Sequence, residues 1–419
     1  MILGWTVHSS NKRRGSMYVA VIGCSLVITV VGVSALLAAR VERRAAEGTS
    51  DFSAARLYAQ AAIEKGMYTI LSSPMWRSSK VSGVWDDNQT FADGNYSLSV
   101  IDPIDGDLSN FKSEPVLLTG TGVLRNATYI LEATATGIPT PLAALKNCLH
   151  SGGSATVTLG NKIVVSNAPL SINGTFNGPG QVTGNVEAGA EGVWGMVFGT
   201  KTIPSAAKSL PDASVADLYI GLATSITNPG TIDKQVLTPS LNPWGATNPD
   251  GLYFIDTGNN DLTIKKSRIN GTLVVRCGAG RKVILDDTVF IHAYRADYPV
   301  LIVDGPLEIN LNTSTKSLSE TTHETNYNPV GAAYQGFTDS DQLDTYPNEV
   351  RGLVHVRGTF TMTLTGIVRG TVIAEGNVTF GGTNNQIIYD PTLYSNPPMG
   401  YVDYVMQIAA GSWKRVVLP

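Results

Sequence analysis

Two adjacent carboxylates, Asp286 and Asp287, are the first candidates for catalytic residues. They stand among basic residues in the second half of the chain. Clustered carboxylates, lysines and arginines are the groups with which enzymes cleave polysaccharides, because that reaction needs an acid, a base and charge stabilisation. The same charges also occur at turns, where they block pairing between exposed strand edges. We favour this second interpretation and predict no catalytic residues. The basic residues concerned are Arg268, Arg276, Arg281, Lys282, Arg351 and Arg357.

The histidines do not have the spacing of a metal site. None stands in a His-x-x-His or His-Glu-x-x-His pattern, and the cysteines do not form Cys-x-x-Cys. We therefore predict no metal site and no cofactor. His323 lies in a polar segment and is expected to be solvated, whereas His355, between Val354 and Val356, is expected to point outward from a strand. The histidines are His8, His150, His292, His323 and His355.

Carboxylates alternate at Asp102, Asp105 and Asp107, as they do at the start of a calcium-binding loop. Such a loop also needs a Glu at a fixed later position, and Glu114 is out of register. Because Asp, Pro and Gly are also the residues of tight turns, we interpret the segment as a turn.

Composition narrows the class of protein. The chain has 419 residues, 30 basic and 34 acidic, for a formal net charge of −4. This balance does not fit a nucleic-acid-binding protein, which needs a strongly basic face. Only 15% of the residues are charged, and 43 are Gly. Low charge with many Gly, Asn and Thr favours a turn-rich β protein outside the cytoplasm.

The three cysteines divide into two groups. Cys24 lies in an apolar segment and cannot pair with the others, which follow far beyond it. Cys148 and Cys277 form one disulfide in an oxidising compartment or remain two separate buried thiols, and sequence leaves both possibilities open.

The N-terminal segment indicates the cellular compartment in which the protein is located. Lys12-Arg13-Arg14-Gly15-Ser16 precedes Met17–Ala39, which carries no charged side chain and is long enough to span a bilayer as a helix. A cleavable secretory signal would have a shorter apolar region, and here Arg40 follows the small residues at once. A plain signal anchor, with the body outside the cytoplasm, is the second possibility, although basic residues flank both ends of the span.

This arrangement also resembles the N-terminus of a type IV prepilin. The resemblance implies cleavage by a prepilin peptidase between Gly15 and Ser16, at the cytoplasmic face of the inner membrane. The family usually has Glu at the fifth mature position, which here is Ala20. Lack of this Glu resembles the PilX-like minor pilins of type IV pili and the K-type pseudopilins of type II secretion. The resemblance implies a role at the tip of a filament or in its initiation.

An amphipathic helix continues beyond the span. After Gly48, apolar residues recur at intervals of three and four residues, which indicates one continuous helix over 16–73 that Pro74 ends. Ala20, Gly23 and Gly32 are small residues at which membrane helices approach one another closely. The stripe consists of Phe52, Ala55, Tyr58, Ala59, Ala62, Ile63, Met67 and Ile70.

The rest of the chain is predicted to be mainly β. Residues 81–137 alternate with period two and predict a small antiparallel sheet packed on the helix. Residues 146–395 contain short β-rich runs separated by Asn and Gly, which is typical of a parallel β-helix or solenoid, with insertions near 187–250 and 312–350. There Arg268, Arg276 and Lys282 are expected to stack on adjacent coils. A β-sandwich is the alternative, and 396–419 would form a closing strand or an amphipathic C-terminal cap.

These features predict a non-enzymatic structural subunit. We expect a single-pass inner-membrane protein that contacts other pilin or pseudopilin subunits through its helix and displays the solenoid in the periplasm or outside the cell. Two alternatives remain. One is a membrane-anchored solenoid that binds or cleaves a carbohydrate, and the other is an adhesin-like surface module without filament partners. We expect no nucleic-acid partner.

Overall fold

The computed structural model describes residues 13–73, 76–193, 195–313 and 316–417, with side chains from residue 17 onward. The chain divides into two compact units, one formed by Met1–Ile138 with Met406–Pro419 and the other by Pro139–Val405. The second unit is therefore an insertion in the sequence of the first. The chain is mainly β after a long N-terminal helix.

The helices are α1 (Arg13–Ser72), α2 (Trp76–Ser79), α3 (Val215–Leu222), α4 (Glu320–His323) and α5 (Thr392–Ser395), with a 3₁₀ helix at Ala143–Lys146. The strands of the first half are β1 (Gly83–Phe91), β2 (Gly94–Ile101), β3 (Val116–Leu124), β4 (Ala127–Pro141), β5 (Leu149–Ser151), β6 (Ala155–Val157), β7 (Lys162–Ser166), β8 (Leu170–Asn177), β9 (Gln181–Thr183), β10 (Val186–Glu191), β11 (Met196–Val197), β12 (Lys201–Thr202), β13 (Thr224–Thr227), β14 (Thr231–Asp233) and β15 (Val236–Leu237). Those of the second half are β16 (Leu252–Asp256), β17 (Leu262–Asn270), β18 (Thr272–Arg276), β19 (Val283–His292), β20 (Leu301–Asp304), β21 (Leu307–Leu311), β22 (Leu318–Ser319), β23 (Thr345–Tyr346), β24 (Glu349–Val356), β25 (Phe360–Met362), β26 (Ile367–Ala374), β27 (Val378–Phe380), β28 (Asn385–Ile388), β29 (Val402–Ile408) and β30 (Lys414–Val416).

The first unit consists of α1 and an antiparallel sheet. The sheet has the order β1-β2-β3-β4-β29, and β30 also pairs with β4. Buried and less buried residues alternate along β2 and β3, as expected for a sheet with one face covered. That face packs on the C-terminal half of α1, which runs without a break through Gly48. Pro74, the predicted end of the helix, lies outside the described residues.

The tail of the chain belongs to this sheet. We expected 396–419 to form a closing strand or a cap, and β29 and β30 are strands of the sheet of the first unit. Lys414 pairs in register with Glu132 of β4, and their side chains form an ion pair of 2.9 Å. The pairing joins residues far apart in sequence, so the local pattern of the tail indicates a strand but not its partner.

The second unit is a three-sided parallel β-helix. Its first face contains β13, β16, β18, β20, β24, β26, β5, β8, β10 and β12, in that spatial order. The second contains β14, β17, β19, β21, β25, β27, β6 and β8. The third contains β15, β17, β19, β24, β26, β28, β7, β9 and β11. The predicted solenoid is confirmed.

The coils do not follow one another in chain order. The chain starts in the middle at β5 and builds coils outward to β12. The chain then continues at the opposite end of the β-helix with β13. From there it adds coils toward the middle, until β26 pairs with β5. Apolar residues of all three faces, such as Leu149 of the first, Leu285 of the second and Ile291 of the third, form a single buried core.

Parts of the predicted insertions belong to the coils. Within 187–250, residues of β10 to β15 pair in the parallel faces, so only the segments around α3 and before β16 lie outside them. The segment 312–350 lies outside the coils as far as residue 348 and contains β22, β23 and α4. It packs through Leu318, Tyr327 and Tyr346 on Phe290, which points outward from the third face.

Candidate functional site

The first half of α1 has no protein neighbour in the described residues. Every residue from Met17 to Ser50 is exposed, and Met17–Ser72 is the one described helix that contains a segment long and apolar enough to cross a membrane. Its hydroxyls are satisfied within the helix: Ser25 donates to the carbonyl of Ile22 at 2.9 Å and Ser34 to that of Val30 at 2.7 Å. Such internal bonds are what a bilayer requires, because lipid supplies no partner.

The small residues of the span lie on different sides of α1. Ala20 and Gly23 are separated by nearly one turn and share a side. Gly32 follows Gly23 by about two and a half turns and faces the opposite side. The space beyond both glycines is open. Gly15 and Ser16, the predicted processing site, belong to α1, and nothing is described of their side chains.

The second half of α1 is attached to the sheet by a close backbone contact. Ala55, Ala59 and Ala62 are fully buried. A Cβ added to Gly122 would lie 2.0 Å from the Ala55 carbonyl oxygen, and one added to Gly120 would lie 2.1 Å from that of Ala59. The helix therefore rests on glycines of β3, and side chains at these two positions would separate the two elements.

The charged residues considered for polysaccharide cleavage do not converge. Arg268 is on the third face, Arg276 is at the end of β18 on the first, and Lys282 precedes the second, so the expected stack of these three does not exist. Asp286 accepts a hydrogen bond from the Asn310 side chain at 2.9 Å.

Most of the remaining charges form ion pairs, and Arg276 and Arg357 share one partner, Asp304. Asp287 pairs with Lys316, and Arg276 pairs with Asp217 at 2.6 Å. Lys282 pairs with Glu308 at 2.6 Å. Arg357 lies 3.1 Å from Asp304, and Arg351 pairs with Glu349. The pairs of Lys282 and Arg357 join neighbouring coils, and the others reach α3, the 312–350 segment or the same strand. These contacts have a structural role.

His323 is not solvated, contrary to our prediction. It is buried in the 312–350 segment, with Nδ1 at 3.0 Å from the hydroxyl of Tyr327. The same segment buries Glu320, which accepts hydrogen bonds from the backbone N–H of Tyr327 and of Asp344 and from the hydroxyl of Tyr346. The segment thus has a small polar core of its own.

His355 points outward from the coil, since its neighbours Val354 and Val356 are in the solenoid core. It is nevertheless fully buried, because Tyr401 covers it at 3.0 Å from Nδ1, while Nε2 lies 3.0 Å from the Glu375 carboxylate. The outer side of the first face is therefore itself covered by protein.

Cys148 and Cys277 are free thiols in the structure. Cys148 directly precedes β5 and Cys277 directly follows β18, and four strand spacings separate these strands on the first face. At about 4.8 Å per spacing the distance is about 19 Å, well beyond the reach of a disulfide. Burial raises the pKa of Cys148 well above its ordinary value and that of Cys277 to about 11.

Asp102, Asp105 and Glu114 each place one carboxylate oxygen within 4.8 Å of the others. Asp102 accepts a hydrogen bond from the backbone N–H of Ile104 at 2.8 Å, as in the predicted turn. Asp102 Oδ2 and Glu114 Oε2 have no hydrogen-bond partner among the described residues. Burial and the two aspartates raise the pKa of Glu114. Oxygen ligands of this type suit a hard cation such as Ca²⁺.

A cavity of about 710 Å³ lies on the outer side of the third face. We call it the solenoid cavity. Register places Asn270, His292, Arg351 and Arg369 opposite one another on four successive strands, so their side chains form one column on its floor. Its volume is within the range of small-molecule sites, about 300–1,000 Å³.

A buried arginine fixes one wall of the solenoid cavity. Arg268 is fully buried and donates hydrogen bonds to the carbonyls of Tyr327, Ala332 and Ala333 at 2.6–2.7 Å. This holds Tyr334 at the cavity, with its ring in edge contact with Phe290 at a centroid distance of 5.7 Å. The opposite wall is the start of α5.

Comparisons with known proteins give weak similarities. No protein-family model matches the sequence, and no curated protein matches it. Among solved structures, the competence-associated pilin ComZ from Thermus thermophilus matches with a TM-score of 0.33 and 12% identity, over 87% of this chain and 98% of that chain. An ice-binding protein from an Antarctic Biological Consortium matches with a TM-score of 0.25 and 17% identity, over 59% of this chain and 91% of that chain. The DUF3494 domain of a Shewanella frigidimarina ice-binding protein matches with a TM-score of 0.26 and 16% identity, over 60% and 97% respectively.

Proposed function

We propose that the chain is a pilin-like structural subunit. It is anchored in the inner membrane by the first half of α1, and its β-helix is displayed in the periplasm or outside the cell. The observation that supports this most is the division of α1 into an exposed apolar half and a half packed on an antiparallel sheet. A simple anchor needs no continuation into a second, docked half. An exposed apolar helix needs lipid or other helices around it.

In this proposal a prepilin peptidase cleaves between Gly15 and Ser16. Other pilin or pseudopilin subunits then pack against the first half of α1, with Ala20 and Gly23 on one side and Gly32 on the other. Ala20 in place of the Glu common in the family supports a position at the end of a filament. A subunit there lacks one neighbour with which that Glu would pair.

N-terminal sequencing of the mature protein tests the processing step. The protein is purified from cells that contain or lack a prepilin peptidase. A start at Ser16 that depends on the peptidase supports the proposal. An intact Met1 in both strains would leave a plain anchored β-helix, and a start near Arg40 would mean a secreted protein.

Crosslinking through Cys24 tests the packing step. Cys24 is exposed on α1, and Val33, nine residues later, faces the opposite side. We expect adducts between Cys24 and pilin subunits with single cysteines in their own membrane helices. The double variant C24S/V33C is the matched control for the other side. Absence of adducts from both positions in membranes that contain assembled filaments would contradict the proposal.

A further inference from the structure

The solenoid cavity has donors that the protein does not use. Arg351 and Arg369 are neighbours in register on β24 and β26, about 4.8 Å apart. Both donate through Nε to the carboxylate of Glu349, which is 3% exposed. Their Nη1 and Nη2 groups, four N–H bonds on each residue, have no hydrogen-bond partner in the described part of the chain.

Charges of both signs surround the solenoid cavity. Arg268, Arg351 and Arg369 are positive, and Glu349 and Asp390 are negative. Arg268 donates its hydrogen bonds to backbone carbonyls. Burial lowers the pKa of its guanidinium, and the nearby carboxylate of Glu320 acts in the opposite direction. The unused N–H groups of Arg351 and Arg369 are therefore what favours an anionic ligand.

Neutral polar groups stand beside these cations. His292 occupies the strand next to Arg351, and its Nε2 is buried without a hydrogen-bond partner. Burial and the charges of Arg268 and Arg351 lower the pKa of His292 to about 4, which keeps the ring neutral at pH 7. Asn270 continues the column, and Tyr334 presents an aromatic ring at the cavity. These groups match hydroxyls and the apolar face of a sugar ring.

We propose that the solenoid cavity binds an acidic sugar, with its carboxylate held by the free ends of Arg351 and Arg369 and its hydroxyls facing His292 and Asn270. Planar guanidinium forks bind planar carboxylates in pairs of parallel hydrogen bonds. The ligand class is therefore a uronic acid or a short chain of uronates. This inference does not depend on the proposed role of α1.

Titration calorimetry on the full chain in detergent tests the proposal. The probes are a galacturonic acid trimer, a neutral glucose trimer of equal length, inorganic phosphate and a short single-stranded oligonucleotide. We expect the uronate trimer to bind at least about tenfold more tightly than the neutral trimer, the value of one charge-assisted hydrogen bond. Equal binding of the neutral trimer, no binding of the uronate, or tighter binding of phosphate or of the oligonucleotide would overturn the proposal.

Two kinds of variant locate the site. R351Q/R369Q should weaken uronate binding at least about tenfold. Because it leaves Glu349 buried without its partners, its folding is checked by circular dichroism. A296W fills the cavity from an exposed position and leaves the Arg–Glu contacts intact, and it should also weaken binding at least tenfold. R281Q removes one exposed positive charge outside the cavity and is the control. Uronate binding that survives A296W would overturn the proposal.

Discussion

The contact between α1 and β3 can be tested with a single methyl group. In G122A the new Cβ would lie 2.0 Å from the carbonyl oxygen of Ala55 and 2.6 Å from the backbone nitrogen of Ala59. Both are backbone atoms, so no side-chain rotation relieves the clash. Ordinary C···O contacts begin at about 3.3 Å, and the helix must therefore move away by about 1.3 Å.

The expected loss of stability follows from this displacement of the helix. Gaps of about 0.5–1 Å already remove a quarter to a half of the dispersion energy between facing atoms. Overpacked cores lose about 1–3 kcal/mol, and we expect G122A near the upper limit, because helix and sheet both resist the shift. G48A is the matched control: Gly48 is in the same helix, with open space beyond it, and Ala should stabilise it by about 0.5–1 kcal/mol.

Hydrogen exchange of the full chain in detergent, with thermal unfolding alongside, measures the effect. G122A should increase exchange in 52–70 of α1 and in 117–123 of β3, whereas G48A should not. Peptides of the β-helix such as 262–276 should be unchanged in both variants, since neither change touches them. If G122A and the wild type show equal protection from hydrogen exchange in α1 and β3, the close contact between these elements is refuted.

Three further predictions concern the β-helix. Burial lowers the pKa of His150 and of His292 to about 4 from about 6.5, so unfolding binds protons below pH 6.5. The free energy of unfolding should therefore fall as the pH drops from 6.5 to 4, by up to about 3 kcal/mol from His150, and H150Q should flatten this dependence in denaturant titrations. Cys277 should be alkylated before Cys148, which should react only after unfolding, and mass spectrometry of oxidised protein should find no peptide linking the two. G370V should lower the melting temperature strongly, because a Cβ there would lie 2.0 Å from a backbone oxygen of the neighbouring strand at a φ of +147°, and an unchanged melting temperature would contradict the pairing of β24 with β26.

Local sequence patterns were sufficient to predict the long helix and many of the strands. Leu353-Val-His-Val356 and Thr371-Val-Ile373 were visible as short β runs because they are rich in apolar and β-branched residues. The order of the coils was not visible, because β5 pairs with β26, more than 200 residues later in the chain. Parallel pairing depends on this distant register, and single short strands carry no sign of their partner.

The solenoid cavity was only partly visible for the same reason. Arg351 was considered only as one of several charged residues, and Arg369 was not among the candidate residues. A signal was nevertheless present: Val350-Arg351-Gly352 is repeated as Val368-Arg369-Gly370, and these triplets pair residue by residue. His323 was misjudged because its segment looks polar, although the tyrosines within it build a small core around Glu320.

The insertion of the β-helix constrains how the first unit is completed. The chain leaves the antiparallel sheet after β4 and returns only with β29, which lies beside β4. Until the returning strands arrive, β4 presents an unpaired edge, and such edges attract other strands. The inserted segment thus begins and ends at two neighbouring strands, β4 and β29. A large β-helix can therefore be inserted there without a change in the strand order or in the packing of α1 on β3. This connectivity explains how the antiparallel sheet of the first unit is completed although the β-helix is inserted between β4 and β29.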